Sequence, residues 1–218
     1  MSGVREKKQA KTEAAILRSA AYLISKKGFE QTTVEDIAAR AVIGVGTVYN
    51  YFGSKNELLV ALMERDTQDL LQAGEGVVPS PGVPPEVALT DLFWIYAKGF
   101  LTKYERRMLR EVFAASFLQP EALGKKMTRL DYELMGQVVE LLRDYQEAGV
   151  VKKTISLEQA ALVLYGSFAI VVVGYLEFEE MTLDFVKEQL TASIALIFDD
   201  WNESSRPHSS LGEGEKGA

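Results

Sequence analysis

Between residues 32 and 59 the chain reads TTVEDIAARAVIGVGTVYNYFGSKNELL, and its apolar positions recur at helical spacing over short stretches. Val34, Ile37, Ala38 and Ala41 fall at i, i+3, i+4 and i+7 and make one buried stripe. Thr32 or Thr33, with Glu35 or Asp36 three residues on, is a capping box that starts this helix. Residues 42–45 form the turn, where Gly44 supplies positive φ or a weak cap. A second helix over residues 46–51, roughly 9 Å long, is held to the core by Val45, Val48 and Phe52. That register turns Thr47, Asn50 and Tyr51 outward and leaves Tyr49 on the rim. Ser54-Lys55-Asn56-Glu57 is a second capping box and opens a further helix, whose free N–H groups and Lys55 suit a phosphate. A helix, a tight turn and a short second helix with a polar outer face is the build of a helix-turn-helix, which lays its second helix in the major groove of double-stranded DNA.

The flanking pattern is helical throughout, so the expected fold class is all-α. Residues 11–27 carry the stripes Ile16, Ala20, Leu23 and Leu17, Ala21, Ile24. Gly28 then stands at C′, with Phe29 folding back on Ile24 as in a Schellman stop. Residues 1–10, with Arg5, Lys7 and Lys8, read as a polar arm that either touches a neighbouring phosphate or is disordered. The helix after Ser54 carries Leu58, Leu59, Leu62, Met63, Leu70 and Leu71 and bridges two parts of the chain. It is followed by the linker VVPSPGVPP at 77–85. Helices are then expected over 86–104, 105–118 and 121–148, from Ser156 onward, and from Thr182 to Trp201. The pattern divides the chain into a head at 9–70, a helical body at 71–203 and a polar, disordered tail at 204–218.

Charge sharpens the division. The net charge is −7, yet residues 1–60 hold nine Lys/Arg against six Asp/Glu, and the rest holds fifteen against twenty-five. A basic head on an acidic body directs the head towards DNA. With no cysteine and a single histidine, His208, in the tail, there is no basis for a Cys-ligated metal site or a His-dependent triad. Gly44-Val45-Gly46-Thr47 is not a phosphate loop, because it lacks the lysine and the preceding strand. No catalytic residue, metal site or cofactor is expected, and the chain does not read as an enzyme. The polar N-terminus has no leader pattern, which places the protein in the cytoplasm. Residues 159–176 are uncharged and only just long enough to span a bilayer; Gln159, Gly166, Ser167 and Gly174 argue instead for burial in protein, with no membrane as partner.

Several fixed-spacing elements carry a resemblance. These are residues 20–29 (AAYLISKKGF), Thr33-Val34-Glu35-Asp36-Ile37-Ala38, Gly46-Thr47-Val48-Tyr49, Tyr51-Phe52, and Ser54-Lys55 followed by Glu57-Leu58-Leu59. Together they resemble the DNA-binding domain of the TetR family of bacterial transcriptional regulators, over about residues 11–70. The resemblance implies phosphate contacts from Thr33, Thr47, Tyr49 and Lys55. It places Val45, Gly46, Asn50 and Tyr51 on the operator-facing helix. The family's turn usually reads Gly-Val-Ser where this chain has Val42-Ile43-Gly44, so the polar cap of the second helix is missing, at a small cost in stability. The resemblance also implies a homodimer through the last two helices, reading a palindrome.

The body is rich in aromatic residues and methionine. Phe93, Tyr96, Phe100, Met108, Phe113, Phe117, Met127, Met135, Tyr165 and Phe168 are the candidate lining of an adaptable cavity for a small apolar or amphipathic effector. Arg106, Arg107 and Arg110 are candidates for an anionic ligand head or simply for surface charge. Two functions follow: a DNA-binding regulator, most simply a repressor released by a small ligand, or a helical small-molecule-binding protein without operator binding.

Overall fold

The computed structural model describes residues 2–77, 82–198 and Trp201, with side chains from residue 5. Among these residues every regular element is helical: α1 (Ser2–Lys27), α2 (Val34–Ala41), α3 (Val45–Tyr51), α4 (Lys55–Gly74), α5 (Pro85–Leu101) and α6 (Arg106–Leu118). They are followed by a π-helical turn (Pro120–Gly124), α7 (Lys125–Glu147), α8 (Leu157–Glu177) and α9 (Leu183–Phe198). The expected polar arm is instead the first turns of α1, which begins at Ser2. The central part of the expected linker, at 78–81, and the tail from 202, with His208, lie outside the described residues.

Local chemistry sets the head. α1 stops at Gly28, which has φ +78° and donates its N–H to the Ile24 carbonyl at 2.9 Å. This is the single-bond left-handed stop, where the sequence suggested the Schellman form. Thr33 and Asp36 cap α2 reciprocally at 3.1 Å, while Thr32 is buried with its hydroxyl donating to the Gly28 carbonyl. Lys27 donates to the Asp36 carboxylate, and together with the Thr33 N–H it lowers that carboxyl from 3.8 to about 2. A group depressed in this way stabilises the fold above its ordinary pKa and loses that contribution as pH falls towards 2. The melting temperature of the protein should therefore exceed that of Asp36→Asn above pH 4, with the gap closing as pH approaches 2.

The turn differs from expectation. Gly44 has an ordinary extended backbone, and Val42 takes the left-handed conformation, φ 57° and ψ 48°, with the Val42 and Ile43 N–H groups closing α2 onto Ala39 and Ala38. The tight closure of α2 demands one left-handed residue, and here a β-branched one supplies it at a steric cost. Val42 is 88% exposed, so no packing holds it there. Val42→Gly should stabilise the protein by about 1 kcal/mol, read as a raised melting temperature. Gly44 caps α3 without a side-chain bond, as its missing hydroxyl requires. Ser54 accepts the Glu57 N–H at 3.1 Å, but the Glu57 carboxylate reaches back to the Gly53 N–H and not to Ser54, so this capping box is only half made.

α4 joins the parts. It packs against α1 on the head side and against α5, α6 and α7 on the body side, and it continues to Gly74, past the boundary expected near residue 70. α5 starts at Pro85, where proline suits the first helical position. In the body, α5 packs on α9 and α7 on α8, around a core that includes Leu89, Phe93, Tyr96, Leu142 and Ile194.

Candidate nucleic-acid interface and cavity

The head presents α3 as a short peg. Val48 and Phe52 are buried beneath it and Val45 is half-buried. Gly46, Asn50 and Tyr49, the last 48% exposed, form the open face. Thr47 is half-buried at its edge. Tyr51, expected outward, packs instead against the core with its ring 6.4 Å from that of Phe52, and Tyr49 takes the outer place assigned to the rim. The cause is the helical register: Tyr51 lies three residues after Val48, on its side of the helix, and Tyr49 does not. Thr33 is exposed beside this face, at the start of α2. Lys55 is not a free arm. Its ammonium lies 4.0 Å from the centre of the Phe29 ring and donates to the Glu30 carbonyl at 3.4 Å, and desolvation lowers its pKa. These contacts hold it at the N-terminus of α4, with the N–H groups that a phosphate would meet there.

In the body, a narrow apolar cavity lies between α4, α5, α6, α7 and α8, with about 60 Å³ open to a water-sized molecule. Six of the expected residues line it: Tyr96, Phe100, Phe113, Met127, Tyr165 and Phe168. Four do not. Phe93 is fully buried behind it, its ring stacked 5.1 Å from Phe168; Met108 is core and Met135 half-buried; Phe117 is 82% exposed. Phe117 lines an adjoining groove of about 600 Å³, bounded by the end of α6, the π-helical turn and the start of α7. Gly124 lets that turn close, because a Cβ there would come within 2.9 Å of the Ser116 carbonyl. Cavity and groove share Phe113, Met127 and Asp131, so these three residues form the junction.

Asp131 was not foreseen, although its place in the sequence between Met127 and Leu134, four and three residues away on the apolar stripe of α7, was the available signal. Asp131 is exposed at the junction, and its carboxyl accepts from the Tyr165 hydroxyl at 2.8 Å. Desolvation pushes the Asp131 pKa up, against the opposing effect of that hydrogen bond. Burial, then the nearby carboxylate, raises Tyr165 far above the usual phenol range. The three arginines of α6 face elsewhere. Arg106 donates to the carbonyls of Phe178 and Met181, Arg107 pairs with Glu30 and Glu111, and Arg110 pairs with Glu179.

Two polar connections tie α4 to the body, one of them from the cavity wall. The Tyr96 hydroxyl, at the cavity wall, donates to Gln137 Oε1 at 2.6 Å, and Gln137 Nε2 donates to the Leu71 carbonyl of α4 at 2.8 Å. Nearer the head, buried Asp66 of α4 accepts from the Tyr104 hydroxyl and pairs with Lys103 at 2.7 Å and with Arg65 at 3.2 Å. This cluster lines a crevice shared by α1, α4 and the loop between α5 and α6.

Comparison with known proteins agrees with this layout. Residues 16–62 match the family described as bacterial regulatory proteins, tetR family. The HTH-type transcriptional repressor NicS of Pseudomonas putida is 29% identical over 154 residues, 69% of each chain. Among solved structures, a TetR-family transcriptional regulator of Mesorhizobium loti is 16% identical and covers 88% of this chain and 98% of its own, with a TM-score of 0.67. FadR of Thermus thermophilus, a transcriptional repressor in complex with lauroyl-CoA, is 23% identical and covers 92% and 100%, also at 0.67. At those identities the two structures speak to the fold alone. The helix-turn-helix lies inside the matched segment, so residues 16–62 form a head of the tetR type, and the relatives support a DNA-binding transcriptional regulator.

Proposed function

We propose that the protein is a cytoplasmic homodimeric repressor that binds a palindromic operator through α3 of each subunit and leaves it when a small apolar or amphipathic molecule enters the body. The observation that carries this reading is the outer face of α3. Gly46, Tyr49 and Asn50 are exposed there, and neither Tyr49 nor Asn50 makes a side-chain hydrogen bond among the described residues. A peg of seven residues reads few base pairs, so two copies on a two-fold axis are needed for a usable site.

The pairing surface is argued from exposure. Leu162, Gly166 and Ile170 share one open face of α8, and Phe185, Ala192 and Leu196 share one of α9. α8 is long and apolar enough to cross a membrane by composition, and less than a third of its most apolar stretch is buried within one chain. A second copy covering α8 and α9 removes that surface from water, and the acidic residues at the end of α8 disfavour lipid.

Effector release is argued from the Tyr96–Gln137–Leu71 connection. The cavity's free volume is too small for a drug-sized molecule, so entry has to displace its walls. Moving Tyr96 breaks its bond to Gln137 and loosens the hold on α4. The effector must bind the displaced form more tightly than the operator-bound form, or nothing shifts. The lauroyl-CoA held by Thermus FadR is an example of an amphipathic molecule bound by a protein of this fold, with a head group of its own kind.

Lys55→Ala tests the DNA side. It should weaken binding to all duplexes alike and reduce the slope of log affinity against log salt by about 1, measured by titration at several salt concentrations. An unchanged slope would remove Lys55 from the phosphate contacts.

A further inference from the structure

We propose that the effector of this protein is a cation with an apolar body, its positive head held by Asp131 and Tyr165 at the junction of cavity and groove. The inference rests on the reading of the body as an effector-binding domain and names the chemical class of the effector.

The cavity wall is almost entirely apolar, and its polar groups are few. The Tyr96 hydroxyl is committed to Gln137 and the Tyr165 hydroxyl to Asp131. That leaves the Asp131 carboxylate, whose Oδ1 accepts from Tyr165 and whose Oδ2 has no hydrogen-bond partner among the described residues. No lysine or arginine lies within ion-pair distance of it among those residues. The cations on neighbouring turns are used elsewhere: Lys125 with Glu121, and Arg129 with Glu64 and Glu133.

Asp131 is exposed at the open end of the cavity, and its carboxylate has no counter-charge from the chain among the described residues. A ligand cation supplies the missing charge. Aromatic faces stand close by, since Tyr165 and Phe168 are 5.4 Å apart and Phe113 lines both spaces. Aromatic faces beside a carboxylate suit an ammonium group, by cation–π attraction together with charge pairing. The same arrangement disfavours a carboxylate or phosphate head, which would meet Asp131 with like charge. Arg106, Arg107 and Arg110, which could have reversed that preference, are turned away from the cavity. The groove provides the entry, between the end of α6 and the π-helical turn.

The test uses the full-length protein and three probes with one apolar chain and different heads: decyltrimethylammonium, decan-1-ol and decanoate, each below its micelle concentration. Binding is measured by calorimetry and by quenching of aromatic fluorescence. The ammonium should bind about tenfold more tightly than the alcohol and decanoate most weakly. Asp131→Asn should collapse the ratio of ammonium to alcohol affinity towards unity, and Asp131→Glu should retain most of it. If the alcohol or decanoate binds the wild type as tightly as the ammonium, the ligand class is wrong and the effector-binding reading stands. A preference for the ammonium that survives Asp131→Asn overturns the assignment to Asp131. If none of the three binds, the proposal and the reading beneath it both fail.

Discussion

Asn50→Ala should cost about 1–3 kcal/mol at the cognate operator, a loss of roughly five- to 150-fold in affinity, and should relax preference at one base position. The effect is large because an amide in the major groove can make two bonds to one adenine edge. The melting temperature should not move. Asn50 is exposed and makes no hydrogen bond to the rest of the chain among the described residues, so the fold loses nothing with it. Binding to non-specific duplexes should be almost unaffected, which separates Asn50 from Lys55. A fall in thermal stability equal to the loss in binding would mean that the side chain supports the head and does not read DNA.

The second large effect is on stability. Asp66→Ala should destabilise the protein by about 2–3 kcal/mol, a fall of roughly 4–12 °C in melting temperature for a chain of this size. Asp66 is 4% exposed and binds three groups, of which the Tyr104 hydroxyl is also buried. Removing the carboxylate leaves that hydroxyl without a partner, while Lys103 and Arg65, both about half exposed, turn to water. Asp66→Asn keeps an acceptor for Tyr104 and should cost clearly less. Since this cluster ties α4 to the loop between α5 and α6, effector release should also change in Asp66→Ala, as a shift in the effector concentration that halves duplex binding.

The head was legible in the sequence because its signals are local. Capping boxes, a glycine stop and an i, i+3, i+7 stripe act within a few residues, and the helices they define are present in the structure. What was missed there is also local in origin. Gly44 looked like the flexible residue of the turn, but closing α2 places the left-handed residue two positions earlier, at Val42. Tyr49 and Tyr51 exchanged places because Tyr51, three residues after Val48, shares the buried side of the peg. In the body, composition suggested an aromatic cavity without saying which rings face it. Phe93 and Phe168 look alike in sequence, yet Phe168 lines the cavity and Phe93 lies behind it. That distinction depends on how α5 and α8 cross, which periodicity does not encode. Asp131 was overlooked for a related reason: a charged residue beside an apolar stripe ordinarily belongs to the solvated face.

The central claim is that α3 reads DNA as a pair. The most direct measurement is selection of duplexes from a random pool by the purified full-length protein, repeated at two salt concentrations. The account predicts enrichment of a palindrome, with half-sites one helical turn or a multiple apart and affinity falling steeply with salt. Recovery of no enriched sequence, with weak binding at both concentrations, would contradict it and favour a helical small-molecule-binding protein that does not bind an operator.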